Sequence, residues 1–358
     1  MVSVTKKVVK AVVPNTGINK LKQINNLFNE LVLRFFSSYS WTSSLYYAFL
    51  SPAFKREHHG VLYGKFKYFQ LLKSAENGSY LLRRNIHRLE KGLLMKPRRN
   101  VFASTYIGET VDSYKKILLS KNKGIEAEEF QWFYDVLHEY FSIVDFDPDI
   151  DRAKQKFLAL EHWCDRKQSI PYKRNLKQPA SVNYEQFWEL SQRRRSVRWY
   201  LPKSVPRELL DKAIAAAALS PSACNRQPFE FRIFDKPELV EQVSSMPMGT
   251  QGFNHNFPVI IAVVGKLRAY FNERDRHVIY IDASLAAMSF MYALETLGLS
   301  SCPINWPDIE MREQKMTSLL NLEPDERVIM LISVGYPDPE GMVAYSQKKT
   351  LNQIRRYN

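Results

Sequence analysis

The sequence predicts two differently built regions: a mainly helical one over residues 1–165 and a mixed helix-and-strand domain over 183–358, with a linker at 166–182. Three observations support this division. Apolar residues of the first region recur at helical spacing, the stretch before residue 183 loses all periodicity, and helical patterns then alternate with short β-rich runs. A length of 358 residues also favours two domains over one.

Taken in order, residues 18–35 form the first expected helix, with Leu21, Ile24, Leu27, Phe28, Leu31 and Phe35 on one face. From Phe35 to Phe54 no residue is charged, but six serines make the stretch too polar for a membrane span, so a buried or interfacial helix pair is expected. The segment from Arg83 to Arg99 holds Arg83, Arg84, Arg88, Lys91, Lys96, Arg98 and Arg99, which is either a solvated helix face with its loop or an anion-binding surface. A second amphipathic helix spans 125–144, with Phe130, Phe133, Leu137, Tyr140, Phe141 and Val144. The linker is polar, basic and interrupted by Pro171 and Pro179. Beyond it, helices are expected at 184–193, 207–219, 236–245, 279–297 and 308–320, and strands at FEFRIF from Phe229, PVIIAVVG from Pro258 and ERVIMLISVGY from Glu326. None of the turns that open these helices is glycine-rich, which excludes a dinucleotide-binding fingerprint and a phosphate-binding loop of the nucleotide hydrolases.

Charge is unevenly placed. Residues 1–100 carry 18 basic and 4 acidic side chains, which accounts for the whole net charge of +14. That end meets an anionic ligand or an anionic membrane surface, or is a solvated surface of a helical cap on the second domain. Nucleic acid has no support beyond charge, because no recognition motif accompanies it. Cys164, Cys224 and Cys302 are too few and too scattered for a disulfide framework or a zinc site. His58, His59 and Glu57 lack a second half with metal-ligand spacing, so no metal is expected. Lys6, Lys7 and Lys10 interrupt the N-terminal valines, and a cytoplasmic protein, peripheral to the inner face of the membrane, is expected.

Four segments carry chemistry. In RRRSVRWY, Arg193, Arg194, Arg195 and Arg198 crowd four guanidiniums into six positions, an arrangement that an anion neutralises or water screens; guanidinium forks favour phosphate. SPSACNRQPFEF, from Ser220 to Phe231, offers small side chains that let a flat ligand lie close to the backbone, with Ser222, Asn225 and Gln227 as hydrogen-bonding groups, or is an ordinary helix-to-strand loop. GLSSCPINWPD, from Gly298 to Asp308, ends a long apolar helix and turns through Pro303 and Pro307. VGYPD from Val334 precedes a basic tail with Lys348, Lys349, Arg355 and Arg356. Cys224 and Cys302 read as packing thiols, and His255 and His277 as packing or surface residues.

In this order and spacing, the four segments resemble the nitroreductase superfamily of flavin mononucleotide (FMN) enzymes over residues 184–358. The resemblance implies an α+β fold, a central mostly antiparallel sheet flanked by helices, and a homodimer with each flavin at the subunit interface. It implies that Arg194, Arg195, Ser196 and Arg198 hold the phosphate and ribityl chain, that Pro221, Ser222, Ala223, Asn225 and Gln227 border the ring, and that Pro303, Ile304 and Asn305 lie over it. Lys348, ahead of Leu351 and Ile354, completes the phosphate site where arginine is common, and Asn305 with Trp306 departs from the usual acidic or glycine residues after the turn. The implied activity is electron transfer from NADH or NADPH through FMN to a small-molecule acceptor (nitro compound, quinone, enone or sugar-linked compound), with no side chain needed as a nucleophile. HRLEKGLLM, from His87 to Met95, is similar to a segment of N-terminally extended members associated with bacterial surface-polysaccharide biosynthesis. A flavin-fold binding or regulatory protein of that process, without efficient turnover, is the alternative expectation.

Overall fold

The computed structural model describes residues 15–73, 79–119, 126–162, 169–174 and 180–358. Lys6, Lys7, Lys10, Cys164 and much of the expected linker, as well as the side chains of Leu21 and Ile24, lie outside the described residues. Two compact units divide between His59 and Gly60.

In the first unit, α1 (Asn15–Ser37) is followed by α2 (Ser40–Leu45) and a single π-helical turn, Tyr46–Leu50. The serines and threonine of this stretch turn the chain: Ser38 Oγ donates to the Arg34 carbonyl at 2.7 Å, and Thr42 Oγ1 to those of Phe36 and Tyr39. Of the expected buried or interfacial helix pair, the buried form is not met among the described residues. Trp41, Phe49 and Leu50 are exposed, as are Phe28, Leu31 and Phe35 of α1, because the hydroxyls serve local turns and leave the apolar side chains on the outside. Helix α3 (Lys55–Lys73) crosses the division between units.

The second unit joins a helical layer to a sheet. Helices α4 (Ser79–Leu93), α5 (Ser104–Leu119), α6 (Ala127–Ile143) and α7 (Pro148–Leu158) enclose Leu82, Ile86, Tyr114, Phe130, Phe133 and Phe157, each almost fully buried. Asp147 starts α7 by accepting from the amides of Asp149 and Ile150, with Pro148 in the first turn where no amide donor is needed. The basic stretch is spent in packing at its first half. Arg83 pairs with Glu129 at 2.7 Å, and the Arg88 guanidinium lies 3.6 Å from the centre of the Tyr106 ring.

The sheet contains β1 (Phe229–Phe234), β2 (Val259–Lys266), β3 (Ser300–Asn305) and β4 (Glu326–Gly335), antiparallel throughout in the order β1-β2-β4-β3. Helices α9 (Arg207–Ala218) and α11 (Val278–Thr296) cover one face around Ala213, Ala286 and Phe290, and α12 (Glu310–Leu320) and α10 (Pro237–Ser244) cover the other around Ile260 and Leu331. With α8 (Tyr184–Arg193), every helix expected beyond residue 183 forms, to within two residues at each end. This is the α+β fold with an antiparallel sheet that the resemblance implies.

Strand β3 was not expected, because Ser300, Ser301 and Pro303 read as a turn. It is an edge strand, where a proline's missing amide hydrogen costs no ladder bond. Helix α11 belongs to the one segment among the described residues, Glu273–Thr296, that is long and apolar enough to cross a membrane. Ile279, Ala283, Ala286, Phe290 and Leu294 on it are fully buried in core clusters.

Candidate functional site

Helix α8 opens with a capping box, in which Asn183 Oδ1 accepts from the Gln186 amide while Gln186 Oε1 accepts from the Asn183 amide. It ends at Arg193, and Arg194 turns the chain into extended conformation. The next residues run beside the free edge of β3: Ser196 bridges Ser301 in parallel, and the Val197 amide donates to the Ser301 carbonyl at 3.1 Å. The arginine segment and the CPI segment, separated by about a hundred residues in sequence, are thereby adjacent.

Tyr200 fixes this arrangement. Its hydroxyl lies 2.8 Å from the Val197 carbonyl and 2.9 Å from Ser333 Oγ on β4, and burial pushes its pKa far above the ordinary phenol value. The ring packs on Gly335, where a Cβ would stand 2.7 Å from Tyr200, so this position requires glycine for close approach. Asn256 ties the segment from the other side, accepting from the Tyr200 amide at 2.9 Å and donating to the Arg198 carbonyl at 2.9 Å.

Electrostatically the pocket is cationic with one buried acid. Glu295, at the end of α11, accepts from Ser300 Oγ at 3.1 Å and lies 3.8 Å from Arg193 Nε. Burial raises the Glu295 pKa, opposed by Ser300 and by the charges of Arg193 and Arg194. Arg194 Nε is buried without a hydrogen-bond partner, and so is Ser301 Oγ on β3. Arg194 Nε thus lacks an acceptor of the kind that an oxygen-rich anion supplies, so the arginine segment fits a phosphate-bearing group. Arg198 donates to the Ser196 carbonyl at 3.3 Å and covers the Phe253 ring. Burial raises the Cys302 thiol above its usual range, outweighing the nearby Arg198, Ser196 and Arg194, which suits a packing role.

Of the turn residues, Pro303 is half-buried, Ile304 buried and Asn305 exposed. Trp306 is buried, and its indole nitrogen donates to Glu313 Oε1 at 2.8 Å, which turns the ring into the core between sheet and α12.

The Ser220–Phe231 segment is built differently. Ser222 Oγ donates to Asp282 Oδ2 at 2.7 Å and accepts from the Gln227 amide at 2.8 Å, and the Ala223 amide also donates to Asp282. Gln227 Nε2 donates to the Ala218 carbonyl, and its Oε1 accepts from Arg83 at 3.0 Å. The Ser222 hydroxyl and the Gln227 amide thus serve the loop itself. Lys348 lies in an exposed C-terminal arm, and no hydrogen bond or ion pair links it to Arg194–Arg198 among the described residues.

The arginine segment and this loop are not brought together within one chain. Arg193 approaches Glu295 and Ser222 binds Asp282, thirteen positions apart on the same helix, α11. At a rise of about 1.5 Å per residue, these anchors are separated by roughly 20 Å. Sheet register agrees: β1 enters at Phe229 opposite Gly265, whereas Ser301 stands beside Val334 and Val259 at the other end and on the opposite edge.

Asp282 and Glu295 were not singled out from sequence, and Arg83 was named only as part of a basic stretch. A usable cue existed for the first two, as the only acidic residues in an otherwise apolar helix, buried to 3% and 9% exposure. Among the described residues no cluster of His, Cys, Asp and Glu could hold a metal ion.

The sequence profile of the Nitroreductase family matches residues 192–246 and 238–336. A putative NADH dehydrogenase/NAD(P)H nitroreductase of Archaeoglobus fulgidus is 30% identical over 151 residues, covering 41% of this chain and 83% of that protein. Iodotyrosine deiodinase 1 of Pongo abelii is 24% identical over 270 residues, covering 66% of this chain and 90% of that protein. The solved structure of an FMN-dependent nitroreductase from Clostridium difficile R20291 aligns with a TM-score of 0.41 at 26% identity, over 47% of this chain and 98% of that one.

Proposed function

Because the chain belongs to the nitroreductase family, we propose that it is an FMN-dependent oxidoreductase whose active form is a homodimer. The observation that supports the cofactor is Arg194 Nε, buried without an acceptor in a segment that also holds Arg193, Arg195 and Arg198. When bound, FMN supplies two-electron redox chemistry, from NADH or NADPH to a small-molecule acceptor. The chain's own contribution is electrostatic and steric. Arg194, Arg195 and Arg198 would neutralise the phosphate, Ser196 and Ser301 would offer hydroxyls to its oxygens, and backbone at Pro303–Asn305 would border the ring.

The dimer follows from the separation of the two site halves. A second copy that packs along α11 in the opposite direction would set its Pro221–Gln227 loop beside the first copy's Arg194–Arg198. Exposed Ile281 and Leu285 on α11, with Tyr184, Phe187 and Trp188 on the adjoining α8, form an apolar surface suited to that contact.

Two acceptor classes are proposed. The nitroreductase relative favours nitro or quinone reduction, and the wider coverage of the iodotyrosine deiodinases favours reductive removal of halide from an aromatic ring. Purified protein carrying FMN that bleaches under anaerobic NADH or NADPH is the expected result. Protein that cannot be reconstituted with FMN contradicts the reading, and flavin reduced by dithionite but not by either nicotinamide favours a binding or regulatory role.

A further inference from the structure

The loop of residues 222–227 holds an unfavourable backbone shape. Cys224, Asn225 and Gln227 all have positive φ, at 53°, 50° and 48°, and none is glycine. Such a conformation persists only where surrounding bonds enforce it. On one side the enforcing group is Asp282, within the family-matched domain. On the other side it is Arg83, which lies on α4 and outside that match.

We propose that Arg83 is a positioning residue through which the helical region sets the shape of the flavin-bordering loop, and with it the affinity and environment of the flavin. This rests on the reading of Pro221–Gln227 as a flavin-bordering segment. The guanidinium uses three nitrogens on three partners: Nε donates to the Asn225 carbonyl at 2.6 Å, Nη2 to Gln227 Oε1 at 3.0 Å and Nη1 to Glu129 Oε1 at 2.7 Å. Two of these bonds grip the loop at two of its left-handed residues, and the third fixes the arginine to α6. The fork is itself held flat, with its carbon 5.4 Å from the Trp132 ring centre, while Trp132 Nε1 donates to Glu90 at 3.0 Å. The Arg83 side chain is 13% exposed, so its bonds are made away from bulk solvent. By occupying Gln227 Oε1, Arg83 also directs the other end of that amide to the Ala218 carbonyl at 2.7 Å. Lysine cannot reproduce this geometry, because a point charge lacks the planar set of diverging donors.

The test compares full-length wild type with Arg83→Lys, Arg83→Met and Glu129→Gln, each stripped of flavin and titrated with FMN, together with the melting temperature of the stripped proteins. R83K and R83M are expected to weaken FMN binding by about tenfold or more and to alter the visible circular dichroism of bound FMN, because two charge-assisted bonds to the loop are lost. E129Q, which keeps both bonds to the loop and a neutral amide oxygen for Nη1, is expected to lose less FMN affinity than R83K even where its melting temperature falls. Unchanged FMN affinity and dichroism in R83K and R83M would overturn the proposal. Equal losses of affinity in E129Q and R83K would overturn it too, by assigning the effect to helix packing. A wild type that takes up no FMN is a different result, which brings down the flavin reading itself.

Discussion

Asp282 and Glu295 sit at opposite ends of helix Val278–Thr296, and each anchors one half of the candidate site: Asp282 the loop at Ser222, Glu295 the arginine segment at Arg193. One apolar helix thus acts as the ruler that keeps the halves apart within a chain. On the proposed reading, in which both halves serve one flavin, that spacing calls for a second copy of the chain.

Arg194→Ala should release the flavin. Removing a charged donor from a phosphate site costs about 1.5–3 kcal/mol, or roughly ten- to a hundredfold in affinity. Flavin fluorescence after gel filtration measures it, and full retention would show the phosphate lies elsewhere.

Glu295→Gln should act in the opposite direction. Burial holds the Glu295 carboxyl above the ordinary range, so its ionisation in the folded protein costs stability, which is present at low pH and lost as pH rises through the raised pKa. Once ionised, its charge competes with phosphate for Arg193 and Arg194. FMN affinity in the wild type is therefore expected to fall as pH rises through that window, and the glutamine variant should bind more tightly with a flatter profile. A steeper profile in the variant would contradict this.

Gly335→Ala should destabilise the protein, because the added methyl meets the Tyr200 ring at 2.7 Å and Pro258 at 2.8 Å. Overpacking of this kind costs about 1–3 kcal/mol. Chemical denaturation reads the loss, and flavin binding should weaken with it because Tyr200 carries the arginine segment.

His162 sets an acid limit on the helical layer. Its ring nitrogens lie 3.1 Å from the Tyr114 hydroxyl and 3.2 Å from the Phe157 carbonyl, and burial lowers its pKa below 6.5. The unfolded chain then binds the proton more readily, so stability is full above about pH 6.5 and falls as pH drops toward the lowered pKa. His162→Gln should flatten that decline in melting temperature, and an unchanged slope would remove His162 as its cause.

Residues 15–59 expose Phe28, Phe35, Trp41, Phe49 and Leu50 beside a cationic N-terminal sequence, a combination that suits an anionic bilayer surface. Flotation with vesicles containing phosphatidylglycerol should carry the protein upward, Trp41→Ala with Phe49→Ala should reduce this, and equal flotation with neutral vesicles would remove the electrostatic part of the reading.

The helices beyond residue 183 were legible because their apolar periodicity is set by the same core that buries them, as Ala213, Ala286 and Phe290 show. Ser300–Asn305 was not, since its pairing depends on a partner strand about 30 residues away and its proline is tolerated only at an edge. The charged motif from Arg193 to Arg198 could be read locally. Its neighbour Ser301, its buried acid Glu295 and the grip of Arg83 on the loop are long-range facts that no local pattern encodes. Trp306 shows the same limit: the sequence marks it only as a departure from the usual residues after the turn, and its buried bond to Glu313 is a tertiary contact.

Native mass spectrometry of the FMN-loaded protein across a dilution series tests the composite site most directly. Flavin is predicted only in dimers, at two per dimer, with monomers appearing flavin-free as dilution separates the copies. Monomers that retain FMN at the affinity of the dimer would show that one chain holds a complete site, and would contradict the account.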